Sequence, residues 1–290
     1  EPNFVATKLE EFFAEDNIDN DITTEITKPD NQKVKAVFVA KEPLVFAGSE
    51  IINQGFSDCA IDDIENDGTI LDQGDIIAVM RGNIDIILKK ERVVLNLVQR
   101  LSGIASTTHY LSQITDSYNI ELLDTRKTTP GLRAFEKFAV AIGGGTNHRF
   151  SLQDAVMIKD NHLMGNPDII QLVNRARSAN PDAEIQIEVD TKEQLELALQ
   201  SEATSVLLDN FSPEQLPSLI EYIRLNQKSD NLYIELLKNR LSPINLSMFC
   251  NICYLQPQMI LHDSYFFSNS AAISSIYQDL LHHETFPLPQ

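Results

Sequence analysis

The sequence predicts an α/β protein in two parts, a small sheet-containing domain joined by a long helix to a domain built on a parallel sheet. Three observations predict it. Short runs of β-branched and aromatic residues, broken by turn signals, fill the chain from KVKAVFVAKEPLVFAG to Val79. A sustained helical period starts at Ile84. From IELLDT onward, strand-like and helix-like runs alternate, and nearly continuous apolar strands in such units indicate a parallel sheet covered on both faces.

The elements follow in order. Leu9, Phe12 and Phe13 recur at helical spacing, so the chain opens on a helix that ends near the Asx-rich NIDNDITTE. Strands are expected in KVKAVFVAKEPLVFAG, and Asn66-Asp67-Gly68 and Gly74-Asp75 mark turns between the short apolar runs that follow. In IDIILKKERVVLNLVQRLSGIASTTHYLSQI the apolar Ile87, Leu88, Val94, Leu95 and Val98 give the long helix its buried stripe. Beyond it, IELLDT, AVMIKDN, EIQIEVDT, SVLLDNF and NLYIELL read as strands. EKFAVAI, IIQLVNRARSA, KEQLELALQ and PEQLPSLIEYIR read as helices. The apolar run from Gln258 to Leu261 offers one more strand, and TFPLPQ reads as a loose tail.

Composition narrows the class. The 290 residues suffice for a large α/β domain or two domains, and a hydrophobic fraction of 43% argues against disorder. A net charge of -19, from 42 acidic and 23 basic residues, repels polyanions, so neither nucleic acid nor an anionic membrane is an expected partner. A small anion is still admissible, because a cleft answers to its local charges. Three cysteines, Cys59, Cys250 and Cys253, are too few for a disulfide scaffold and fit a reducing compartment; Cys250-x-x-Cys253 reads as two ordinary thiols. The acidic, amphipathic opening is unlike a signal peptide, and no apolar run approaches a membrane span, so a cytoplasmic protein is expected. The absence of an initial methionine suggests a trimmed start.

Polar residues fall at a regular place in the second part. Asp124, Lys159, Glu188 and Asp209 each close a predicted strand or nearly so, and in parallel sheets those ends share one face, where active sites gather. One carboxylate at such a place is commonly a helix cap; four polar strand ends in succession are harder to read so. Between residues 124 and 162 the chain carries Arg126, Lys127, Arg133, Lys137, His148, Arg149, Lys159 and His162, a basic excess in an acidic protein. Arginine forks match carboxylate and phosphate oxygens and lysine supplies a point charge, so the set suits a substrate with several separated anionic groups. Gly143, Gly144 and Gly145 permit close backbone approach but form neither a dinucleotide fingerprint nor a P-loop. Glu188, Asp190 and Asp209 suit magnesium held jointly with substrate phosphates, or a developing positive charge, and no zinc pattern is present.

With these residues in view, the chain resembles the quinolinate phosphoribosyltransferases, the decarboxylating nicotinate-nucleotide pyrophosphorylases. The agreement runs from residue 9 to 211 and rests on DNDITTE, ERVVLNLVQRLSGIAS, LLDTRKTTPGLRAFEKFAVAIGGGTNHRFSLQDAVMIKDNH, IEVDT and VLLDNF. The resemblance implies an N-terminal α/β sandwich domain with its linking helix over 1–114, an incomplete α/β barrel over 115–265, and a C-terminal segment over 266–290 that returns to the first domain. It implies transfer of phosphoribose from phosphoribosyl pyrophosphate to quinolinate, with Mg2+ required and nicotinate mononucleotide, pyrophosphate and carbon dioxide as products, in NAD biosynthesis. It also implies a homodimer, or a hexamer of dimers, with shared active sites. By position, Arg92 matches the arginine that one subunit lends its partner's quinolinate site. Arg126, His148, Arg149 and Lys159 match residues around the dicarboxylate and the phosphates, and Lys127 matches a lysine close to both substrates. Glu188 and Asp209 match the acidic residues at the ribose and the magnesium.

The resemblance stops after Tyr233. The family has a Ser-Gly-Gly or Ser-Gly-Asn stretch after a strand ending in Glu, and later a Ser-Val-Gly-like turn, which together hold phosphate on backbone amides. Here Lys238, Asn239 and Arg240 follow IELL, and no glycine occurs beyond Gly165. A side chain in place of glycine crowds the ligand or removes an amide donor. The departure fits an altered site, an inactive or regulatory relative that binds pyridine dicarboxylate, or a C-terminal sequence changed by splicing or a frame shift. A phosphoribosyltransferase for a related pyridine carboxylate is a further alternative.

Overall fold

The computed structural model describes residues 2–27, 32–116, 120–163, 168–212, 214–228, 232–237 and 258–261. They divide into two compact units. The first takes the described residues up to His109 together with Phe138–Gly144; the second takes those from Tyr110 to Lys137 and from Gly145 onward.

In the first unit, helix α1 (Pro2–Glu15) buries Leu9, as its spacing predicts. Helix α2 (Ile22–Thr27) starts where Asp21 Oδ1 accepts from Thr23 N at 3.0 Å and Thr24 N at 3.1 Å. Then come β1 (Lys33–Val39), β2 (Leu44–Val45), α3 (Ser49–Gly55), β3 (Ala60–Ile64), β4 (Ile70–Leu71) and β5 (Ile76–Asn83). Strand β5 lies between β1 and β3, antiparallel to both, and β2 pairs antiparallel with β4. Phe38, Phe46, Ile52, Phe56 and Met80 are buried in this unit with Val94 and Leu101 of the long helix α4 (Ile84–Asp116). Helix α3 has no period long enough to read in sequence; its start is held by Asp67, whose Oδ1 accepts from Gly48 N at 2.6 Å and Ser49 N at 3.0 Å. Gly48 has φ +147, and a Cβ there would stand 2.9 Å from Val98 Cγ2, so the bend into α3 admits no side chain.

The second unit contains β6 (Ile120–Leu123), β7 (Val156–Ile158), α6 (Asp160–Leu163), α7 (Ile169–Ala179), β8 (Ile185–Val189), α8 (Lys192–Gln200), β9 (Ser205–Leu208), α9 (Leu216–Asn226), β10 (Tyr233–Leu237) and β11 (Gln258–Leu261); α5 (Arg133–Ile142) follows β6 in the chain. The sheet order is β6-β11-β10-β9-β8-β7. Strands β7 to β10 run parallel, and every residue of β8 and β9 is buried, as expected of a parallel sheet covered on both faces. Gln258–Leu261 does form a strand, but β11 is antiparallel to both β10 and β6, which corrects the all-parallel reading. An apolar run marks a strand without marking its direction, and two antiparallel ladders satisfy the same backbone groups. Strands β6 and β7 end the sheet without pairing to each other. An isolated bridge joins Leu123 to Thr146 on β6's other side, where Thr146 N donates to Leu122 O at 2.8 Å. The second unit is thus an incomplete α/β barrel.

Residues 266–290, Cys250, Cys253 and the stretch Lys238-Asn239-Arg240 lie outside the described residues. Among the described residues, no helix is long and apolar enough to cross a membrane.

Candidate active site

The polar strand ends stand where the parallel topology puts them. Asp124 follows β6, Lys159 follows β7, Glu188 is the penultimate residue of β8 and Asp209 follows β9. Short turns and firm caps fix these ends. Thr191 and Gln194 form a capping box at α8, and Asp168 accepts from Gln171 N at α7. Asp209 N donates to Val189 O at 3.0 Å, so the ends of β8 and β9 are laced together.

At this face Lys159 Nζ lies 2.6 Å from Glu188 Oε2. A cation expected for substrate and a carboxylate expected for metal are therefore partners. Lys127 is exposed and its charge sits among theirs. Partial shielding of its head lowers the ammonium's pKa, Lys159 lowers it further, and Asp209 and Glu188 push it back up. Arg126, Arg149, Lys159 and His162 line a cavity of about 800 Å³ with Met157 and Asp182. Arg126 Nε is buried without a hydrogen-bond partner. Arg149 sends Nη1 to Ala155 O at 3.5 Å and Nη2 to Met157 Sδ at 2.9 Å, weak partners for a guanidinium. Its pKa is lowered by burial and by the charge of Arg126. Two arginines with donors to spare, one depressing the other, are chemically suited to an anion with more than one charged group.

His148 stands elsewhere, with Glu235 and Gln186 on a second cavity of about 780 Å³. Burial, then the charges of Arg149 and Lys137, lower its pKa to about 4, so it is a neutral imidazole. Its backbone N donates to Asp124 Oδ1 at 2.9 Å, and Lys137 Nζ donates to its carbonyl at 3.2 Å. With the Asn147 amide oriented so that its nitrogen meets acceptors, that nitrogen donates to Asp124 Oδ2 at 2.7 Å and Lys137 O at 2.9 Å.

Several residues take other parts than their sequence position implies. Lys137, counted in the basic excess, is buried against Asp124 and holds the loop together. Arg133 donates from Nε to Thr128 Oγ1 at 3.0 Å and from Nη1 to Phe150 O at 3.1 Å. In the glycine run, a Cβ at Gly143 would come 2.4 Å from Ala105 O, so close backbone approach is needed there against helix α4. Arg92 belongs to the first unit. Glu235, a lone carboxylate inside the apolar strand YIELL and not singled out in the sequence, is buried 3.7 Å from His148 Nε2.

No group of three or more metal-binding side chains exists among the described residues. Glu188 and Asp209, on laced strand ends, are a donor set suited to an ion that completes its shell with substrate oxygens.

The family model described as quinolinate phosphoribosyl transferase, N-terminal domain, matches residues 21–102, and that of the C-terminal domain matches 104–239. The chain belongs to the quinolinate phosphoribosyltransferase family. A probable nicotinate-nucleotide pyrophosphorylase [carboxylating] from Bacillus subtilis is 41% identical over 227 residues, 77% of this chain and 78% of that protein. One of the same description from Methanothermobacter thermautotrophicus is 36% identical over 80% of this chain and 84% of its own length. Among solved structures, NadC from Streptococcus pyogenes superposes with a TM-score of 0.75 at 33% identity, covering 83% of this chain and 86% of that one. The match to this family's C-terminal domain ends at residue 239, a few residues beyond Tyr233, where the motif agreement stops.

Proposed function

We propose that the chain is a nicotinate-nucleotide pyrophosphorylase that transfers phosphoribose from phosphoribosyl pyrophosphate to quinolinate and releases carbon dioxide, in NAD biosynthesis. The observation that carries this reading is the cavity where Arg126, with a buried and unpartnered Nε, meets Arg149 and Lys159. A pyridine dicarboxylate supplies paired oxygens for those donors.

Glu188 and Asp209 would hold Mg2+ together with pyrophosphate oxygens. When bound, that ion would neutralise the leaving group. Lys127 and Lys159 supply positive charge on the same side, and Glu188 and Asp209 face the ribose as positive charge develops at its anomeric carbon. The pyridine nitrogen attacks that carbon as pyrophosphate leaves. The alkylated ring then accepts the electron pair released when the adjacent carboxyl departs as carbon dioxide. No covalent nucleophile is required. Arg92 would complete the quinolinate site of a second copy in a homodimer, alone or within a hexamer.

The test is incubation of the chain with quinolinate, phosphoribosyl pyrophosphate and Mg2+. Nicotinate mononucleotide is the expected product; its absence from correctly folded protein refutes the reading. The glycine-free segment beyond residue 235 favours one second reading, a relative that binds the dicarboxylate without turnover, for which calorimetry would detect quinolinate binding alone.

A further inference from the structure

Among the described residues, two other than glycine take a positive φ, Asn17 at 52° and Asn210 at 59°. Glycine alone visits this left-handed region without cost, and asparagine is one of the few other residues that tolerate it. Asn17 stands in a surface turn after α1, where its Oδ1 accepts from Asn20 Nδ2 at 2.7 Å, three residues on. Asn210 reaches much further. It is exposed, so core packing does not call for its side chain, yet its Nδ2 donates to Asp190 Oδ1 at 2.7 Å, twenty residues back at the end of the neighbouring strand.

The backbone N–H of Asn210 also donates to Asp209 Oδ1 at 2.9 Å. One residue therefore grips two carboxylates, Asp209 after β9 by its main chain and Asp190 after β8 by its amide. The corner is laced further. Asp209 N donates to Val189 O at 3.0 Å, and Asp190 N donates to Gln194 Oε1 at 2.7 Å. Gln194 in turn forms the capping box with Thr191 at the start of α8, a helix whose Leu195 is wholly buried. Through Asn210 and Asp190, the Asp209 carboxylate is thus keyed to the first turn of a firmly seated helix. A left-handed asparagine persists where its surroundings over-determine it, and a carboxylate that meets an ion depends on such partners for its orientation.

We infer that Asn210 is a positioning residue for the proposed metal site, acting through Asp209 and using Asp190 as its anchor, which makes Asp190 a support and not a ligand of the ion. The inference rests on the reading of Glu188 and Asp209 given above. A residue needed only for the turn would be replaced without loss by glycine, which takes a positive φ freely. The tie to Asp190 is what glycine lacks.

Three variants of the full chain separate the two roles. Asn210→Gly keeps the turn and the N–H but loses the tie. Asn210→Asp keeps a side chain that tolerates the turn and sets a carboxylate against Asp190. Asn210→Asp combined with Asp190→Asn restores the tie with donor and acceptor exchanged. Binding of Mn2+ in the presence of pyrophosphate, followed by electron paramagnetic resonance, reads the ion directly; the Mg2+ dependence of kcat reads the reaction. Both single variants should bind Mn2+ about 10-fold more weakly and need correspondingly more Mg2+, with quinolinate affinity and Tm close to wild type. The double variant should recover most of the Mn2+ affinity. Wild-type Mn2+ affinity in Asn210→Gly would reduce Asn210 to a turn residue and overturn the inference. Mn2+ affinity that falls together with quinolinate affinity and Tm, without recovery in the double variant, would overturn it in favour of a general structural role. A wild-type chain that binds no Mn2+ with pyrophosphate also overturns it. A wild-type chain that binds Mn2+ but forms no nicotinate mononucleotide overturns the quinolinate reading instead, and the Mn2+ titrations then decide the role of Asn210 by themselves.

Discussion

Lys137 and Asp124 form an ion pair with both side chains almost wholly buried, and the same two side chains grip the backbone of His148, one at its carbonyl and one at its amide. The imidazole is thus carried by a buried electrostatic clamp. Asp124→Ala leaves an uncompensated ammonium in the core and should cost about 3–5 kcal/mol in urea unfolding. Replacing both partners with apolar residues of similar volume should restore much of that stability, because no charge is then left buried. Activity should not return with it, since His148 has lost both grips. A double variant that regains turnover would show that the clamp serves stability only.

Glu235 and His148 should leave opposite marks on stability against pH. The Glu235 carboxyl is raised from 4.5 to about 7, so the folded state holds a proton that the unfolded chain gives up. Stability from this group is full below pH 4.5 and declines as pH rises toward 7. His148 is lowered from 6.5 to about 4, so the unfolded chain binds the proton first, and stability falls as pH drops from 6.5 toward 4. Each displacement is worth roughly 3 kcal/mol, and between pH 4.5 and 6.5 the two slopes largely cancel. Glu235→Gln should therefore unmask the rise with pH that His148 produces, and gain stability relative to wild type at pH 8. Denaturant titrations at pH 5 and pH 8 would reveal the change of slope; identical slopes in variant and wild type would contradict it.

Lys159 and Glu188 make a partly exposed pair at the strand ends, so the pair contributes at most about 1 kcal/mol to stability after solvent screening. The ligand contacts proposed for Lys159 would weigh more. Lys159→Ala should lower Tm little yet weaken anion capture by about 1.5–3 kcal/mol, or roughly 10- to 150-fold in affinity. Comparing thermal melts with quinolinate and phosphoribosyl pyrophosphate titrations separates these effects. A large fall in Tm with unchanged binding would assign Lys159 to structure.

Much of this was legible in the sequence because it depends on local rules. Apolar runs bounded by turn residues give β7 and β9, and a polar residue after each such run puts Lys159 and Asp209 at one face. What was hidden depends on pairing across the fold. Lys137 and Arg126 are both cations in one basic stretch; one is buried against a carboxylate and the other keeps an unspent donor, a distinction made only by what lies opposite. Gly143 is small for the sake of Ala105, far from it in the chain. Glu235 looks like any strand carboxylate until His148 is brought beside it. The direction of β11 was hidden too, because its apolar pattern is the same either way.

Arg92 belongs to the first unit, while Arg126, Arg149 and Lys159, proposed to hold the anion, belong to the second. If a homodimer shares its sites as proposed, Arg92→Ala chains and Lys159→Ala chains are each impaired at every site, yet a mixed dimer contains one site with both residues intact. Mixing the two variants after reversible dissociation should regain part of the wild-type rate. Verified mixed dimers with no recovery would place Arg92 outside the partner's site.

The glycine-free stretch should weaken one ligand more than the other. Arg126, Arg149 and Lys159 line their cavity without any residue beyond 237, so the partners proposed for quinolinate are in place. The family's phosphate cradle depends on glycines after the strand ending in Glu, and here Lys238, Asn239 and Arg240 stand there, with no glycine beyond Gly165. Loss of two or three charge-assisted amide contacts, at about 1.5–3 kcal/mol each, lowers affinity by several orders of magnitude. New contacts from Lys238 or Arg240 would offset part of it, as point charge or fork without the enclosing geometry of amides. Separate titrations with Mg2+ present should find quinolinate binding largely preserved and phosphoribosyl pyrophosphate binding weak. A chain carrying Ser-Gly-Gly at positions 237–239 should recover the second and leave the first unchanged. Tight phosphoribosyl pyrophosphate binding by the unaltered chain, indifferent to that replacement, would mean that phosphate is held by side chains here and that the missing glycines cost nothing.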